Sequence, residues 1–184
     1  MKRVLIAMAT MTDKNSLSVP LTMLCQLTRL VVVAWFIWDF AYTAIFWSDK
    51  NEVLRAYSEV AGHALEPISG FQQAAGYSAT LMITLTEAVF VVKVWQLFGY
   101  YIAGHIFDRQ AVSAFRAMAG AAMALYIVSL VMRPIAFAIV SNGGFTLLFW
   151  PSDVRHGAMV LLLVILAKIF SVGAAIAEEH SQIV

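Results

Sequence analysis

Five ionisable side chains stand inside long apolar runs of this chain: Asp39, Glu87, Lys93, Arg133 and Lys168. Such groups are costly at membrane depth and usually face protein or a water-filled cavity. If each run is a helix rising about 1.5 Å per residue, Asp39 and Glu87 each lie roughly 12 Å below the outer end of their run. Arg133 lies roughly 10 Å below its own outer end, and Lys168 about 16 Å. Lys93 is nearer the inner face. Asp39, Glu87, Arg133 and Lys168 are therefore expected to form a buried charge cluster in which acids and bases neutralise one another. Two readings of that cluster stand. One is a structural network that sets helix register. The other is a water-accessible cavity that binds a ligand or relays protons, with Asp39 and Glu87 as the titratable groups. Pro134 suits both, because it frees a backbone carbonyl beside Arg133.

Other chemistry has little footing. A b-type haem site in a membrane bundle needs paired histidines within the spans. His156 and His180 are 24 residues apart, about 36 Å along a helix, and His63 and His105 fall in connections. No HExxH, P-loop, GxSxG or CxxC pattern occurs, and each of these carries a defined mechanism. The one cysteine, Cys25, excludes an intrachain disulfide and a cysteine-based metal cluster. No enzyme activity, cofactor or metal site is expected.

The elements that must position these charges are transmembrane helices. The chain of 184 residues is 61% hydrophobic and 12% charged, with a mean hydropathy of +0.81. Soluble domains carry roughly 25% charged residues. A net charge of +1 leaves no electrostatic footprint for direct nucleic-acid binding. About 20 apolar residues span a bilayer as a helix, and four runs qualify: 30–47, 79–101, 117–140 and 157–177. They lack the alternation of barrel strands. The predicted fold is all-α, a polytopic four-helix membrane bundle whose first partner is the lipid bilayer.

Residues 1–29 are read as a cytoplasmic N-terminal tail and 178–184 as a cytoplasmic C-terminal tail. The basic start at Lys2 and Arg3, with a short apolar run after it, resembles a signal sequence. Lys14 then interrupts the chain, however, and no small-residue cleavage site precedes the first span. Lys2, Arg3, Lys14, Arg29, Arg109 and Arg116 lie on the side of the termini. On the other side Lys50 and Arg55 are outnumbered by Asp49, Glu52, Glu59 and Glu66. The positive-inside bias places both termini in the cytoplasm.

Three connections carry pattern. Residues 51–65 put Val53, Tyr57, Val60, Ala61 and Ala64 on one helical face, with Pro67 ending it; this predicts a short extracytoplasmic amphipathic helix. The segment 145–150 (FTLLFW) is too short to span and is expected at the outer interface. Ile106, Phe107, Ala111 and Phe115 are expected to lay a second amphipathic turn on the inner side. Small residues spaced by four, including Ala117 with Ala121, Gly120 with Ala124, and Ala167 with Ser171 and Ala175, permit close helix approach. They serve either internal packing or a homodimer face.

The second half of the chain resembles a bacterial membrane-protein family, domain of unknown function 2975. The resemblance rests on LFGYYIAGHIF at 97–107, FRAMAG at 115–120, the Arg133-Pro134 pair, and the ending AKIFSVGAAIAEEHSQIV from Ala167. It covers roughly the last ninety residues and the four-span layout. Lys168 departs from it, where an acidic or neutral residue is expected. The resemblance transfers no catalytic residue. It implies a non-enzymatic membrane sensor or tether acting with a cytoplasmic helix-turn-helix regulator. The partner face would comprise His105, Phe107, Arg109, Arg116, Glu178 and Glu179.

Overall fold

The computed structural model describes residues 19–106, 108–143 and 150–181, with side chains through residue 176. Among these residues there are five helices and no strand: α1 (Val19–Ser48), α2 (Lys50–Ala61), α3 (Gly70–Ile102), α4 (Arg109–Ser141) and α5 (Pro151–Ser181). Four of them are long and apolar enough to cross a membrane. Each of the four expected spans lies inside one long helix, and each helix extends past it. Residues 19–29, expected as tail, are the first turns of α1. At about 1.5 Å per residue these helices exceed a hydrocarbon core of roughly 30 Å, so their ends reach the headgroups.

The four long helices pack in chain order rather than as a closed square. α3 and α4 form the most extensive pair, α1 rests on α3, and α5 rests on α4. α1 and α5 make no extensive contact with each other. The result is a trough with α3 and α4 as its floor and α1 and α5 as its banks. Away from α2 the trough is closed by a core of Val94, Leu97, Phe115, Met118, Ala119 and Ala167, against which Val32 of α1 also packs. The small residues Ala119 and Ala122 bring α4 close to its neighbours. Gly120, by contrast, faces open space.

At the other end α2 caps the bundle. Asp49 starts it by accepting the N–H groups of Asn51 and Glu52 at 2.9 and 3.4 Å. It ends at Gly62, whose φ of 73° permits the left-handed turn that returns its N–H to Ser58 and Glu59. Pro67 is the expected end of this helix; the chain turns five residues earlier, because glycine takes positive φ at little cost. Val53 is fully buried, and with Trp47, Ile68 and Val140 it forms a second core. The Tyr57 ring stacks 6.1 Å from Phe137 of α4. Trp47 is itself buried and packs against Tyr57 and Tyr77. Gly76 of α3 makes room for it, since any Cβ there would overlap the indole.

Two glutamines close this end. The Ser69 and Gln72 side chains and backbones form a capping box at the start of α3. The Gln72 amide also donates to the Ile139 carbonyl and to Asn142 at 3.1 and 3.0 Å, and the Gln73 amide donates to the Trp47 carbonyl. These bonds tie α3 to the ends of α4 and α1.

One expected element is different. Ala111 and Phe115 are buried in the bundle, not laid on the membrane surface, because α4 begins at Arg109 and turns that face onto its neighbours. Phe107 and residues 145–149 of the FTLLFW segment lie outside the described residues.

Candidate functional site

The trough widens in its capped half into two adjoining chambers of about 480 and 400 Å³. Asp39, Ile83 and Arg133 line both, so they form the wall between them. Both volumes lie in the range of small-molecule sites. The chamber under α2 is aromatic, with Tyr42, Phe46, Trp47, Tyr57, Phe137 and Trp150. The deeper chamber is lined by Trp35, Asp39, Glu87, Tyr126, Ser129, Arg133, Asp153 and His156, with Phe90, Met159 and Leu163 among its apolar residues.

Helical periodicity delivers these residues. Trp35 and Asp39 are four apart on α1. Ile83, Glu87 and Phe90 follow at four and three on α3, and Tyr126, Ser129, Leu130 and Arg133 at three, one and three on α4. Asp153, His156 and Val160 run the same way on α5. Residues three and four apart share a helix face. Four stripes thus converge on one space.

Within it the charges divide unevenly. Arg133 Nη1 donates to Asp153 Oδ1 at 2.9 Å, and the other oxygen of Asp153 accepts the Trp150 N–H at 2.9 Å. In return the Asp153 N–H donates to the Trp150 carbonyl at 2.8 Å, fixing the start of α5. The Asp153 side chain is 4% exposed and that of Arg133 49%. This pair is satisfied. Glu87, Asp39 and Trp35 line the deeper chamber together. Among the described residues neither Asp39 nor Glu87 forms an ion pair. The Ser129 hydroxyl bonds back to the Leu125 carbonyl at 2.8 Å. Pro134 has no N–H to give the Leu130 carbonyl, and Leu130 also lines this chamber.

The structure brings together Asp39, Glu87 and Arg133 of the expected cluster and leaves out Lys168. Lys168 is exposed on α5, beside Ile169, Val172 and Ile176 on a shallow surface. It shares no chamber with the other three. It stands beside Ala167 of the closed core, more than a turn below Leu163, the last α5 residue of the deeper chamber, and it is turned outward from that core. Asp153 and His156 join the site without having been expected there. The three-residue spacing of Asp153 to His156 on the face of α5 is the signal that could have found both. Among the described residues Lys93 donates to Gln96, at 3.3 Å, on its own helix.

Part of the expected inner face lies within the described residues. His105 pairs with Asp108 at 2.7 Å in the turn between α3 and α4, Arg109 opens α4, and Arg116 is exposed on it. Phe107 lies outside the described residues, as do the side chains of Glu178 and Glu179.

No curated protein and no solved structure matches the chain. One protein family does, and its match runs through α1 and the capping helix as well as the second half. The chain belongs to the family described as protein of unknown function (DUF2975), which matches residues 6–184.

Proposed function

We propose that the protein is a non-enzymatic, multi-pass membrane protein that binds a small ligand in the two chambers of its capped half. The observation that carries this reading is the wall of Asp39 and Arg133 between two cavities. A purely structural ion network would bury both groups against protein, whereas here both border open volume. The protein's setting in this proposal is a bacterial inner membrane, and the basic bias of the other end supports an orientation with α2 outside and both termini in the cytoplasm.

Access to the deeper chamber tests it. In a Cys25→Ser background, Ser129→Cys is expected to react with a small polar thiol reagent, while Ala119→Cys in the closed core is not. Asp39→Asn and Glu87→Gln are expected to retain the fold, seen as an unchanged elution profile and melting temperature. An unreactive Ser129→Cys, or collapse of both neutral variants, would make the charges structural and end this reading.

A specific feature of α4 connects the chamber with a sensor role. One unbroken helix carries Arg133 at the chamber and Arg109 and Arg116 at the far end. A ligand that shifts α4 would therefore be felt at the face proposed for a cytoplasmic regulator. Co-purification of a soluble protein in mild detergent, lost in Arg116→Glu, is the expected result; its absence removes the regulator and leaves ligand binding standing.

A further inference from the structure

Resting on the ligand-binding reading, we infer that the chambers take a lipophilic organic cation, an amine or quaternary centre carrying apolar groups, which enters sideways from the bilayer between α1 and α5. Three independent features converge on this occupant.

The first is charge. The deeper chamber is lined by Asp39, Glu87 and Asp153 against Arg133, with His156 at its edge. Arg133 is committed to Asp153, and among the described residues Asp39 and Glu87 are left without a basic partner. A cation supplies what the protein omits, and an anion meets two carboxyls. The second is the wall. Trp35, Phe90 and Tyr126 surround the same space, and aromatic faces attract cations within about 6 Å, most strongly where water is excluded. The apolar residues Met159, Val160 and Leu163 complete it, which suits a ligand with a substantial hydrocarbon part rather than a hydrated metal ion. The third is the route. The banks α1 and α5 make no extensive contact with each other, and Trp35 and Met159, one on each bank, are 62% and 63% exposed. Those exposed faces meet lipid, so a membrane-dissolved molecule reaches the carboxyls without crossing the α2 cap.

The test uses two probes of the same shape and opposite charge, tetraphenylphosphonium and tetraphenylborate, with the full-length protein in phosphatidylcholine nanodiscs. Saturable phosphonium binding above that of empty nanodiscs is expected, weakened at least about ten-fold in the Asp39→Asn/Glu87→Gln double variant. Trp35→Leu, which changes only an exposed side chain, is expected to weaken it several-fold, and Lys168→Gln not at all. Tetraphenylborate is expected to show no saturable component. Phosphonium binding that survives the double substitution overturns the inference. Saturable borate binding lost in Arg133→Gln overturns the cation and keeps the ligand site. Binding of neither probe with Ser129→Cys still reactive does the same, whereas an unreactive Ser129→Cys defeats the site itself.

Discussion

Arg133 of α4 reaches across to Asp153 of α5 at 2.9 Å, and the second oxygen of Asp153 holds the Trp150 N–H at the same distance. One carboxylate thus anchors the start of α5 and holds an arginine at the edge of both chambers. The pair sets the shape of the site and takes its arginine out of the charge balance.

Removing the arginine leaves a nearly buried carboxylate with one backbone bond. Arg133→Gln is expected to destabilise the protein by about 3 kcal/mol, the lower end for a broken buried pair because Arg133 is itself half-exposed. Asp153→Asn, whose side-chain oxygen can still accept from Trp150, is expected to cost less. Thermal unfolding in detergent orders the two; a larger loss in Asp153→Asn contradicts the arrangement.

Gly157 of α5 lies against Tyr126 so closely that a Cβ there would stand 2.6 Å from the tyrosine hydroxyl and 2.9 Å from the ring carbon that bears it. Gly157→Ala is expected to push Tyr126 into the deeper chamber and to destabilise by about 1–3 kcal/mol, as overpacking does. Adding Tyr126→Ala is expected to recover most of that loss. Independent, additive losses in the double variant would refute the contact.

The cap on α2 is a local device with a local readout. Asp49→Ala removes the acceptor for two N–H groups, at an expected cost of about 1 kcal/mol. Hydrogen exchange is expected to rise across residues 50–61 and to stay unchanged in α4. Uniform acceleration along the chain would show that α2 does not open separately.

Alkaline pH acts on the same helix through Tyr57. Burial raises its phenol from about 10 to about 12. The unfolded form then ionises first, so docking of α2 is fully supported below pH 10 and weakens as pH rises from 10 toward 12. At the acid side the direction reverses for Glu52, lowered chiefly by its hydrogen bond to Arg55. Its contribution is present above the usual carboxylate range and is lost as pH falls through its own lowered value. Both groups of that ion pair are exposed, so the acid effect is small. Absorbance titration at 295 nm is expected to show one tyrosine ionising last, absent in Tyr57→Phe.

Two different kinds of physics separate the parts of this protein that are legible in sequence from those that are not. The absence of water in a bilayer forces helices wherever long apolar runs occur, so the four long helices and the capping helix could be read from composition and periodicity alone. The cost of charge at depth likewise singled out Asp39, Glu87 and Arg133. Which faces meet is another matter. Lys168 lies in a run as apolar as the others, yet the rotation of α5 about its axis turns it outward and turns Asp153 and His156 in. That rotation depends on side chains packing across helices, as where Tyr126 of α4 lies against Gly157 of α5. Nor does hydropathy record that α1 and α5 make no extensive contact with each other. A span reads as equally apolar whether lipid or protein covers it, so only the tertiary structure decided that the bundle is an open trough, with two carboxyls facing the space inside.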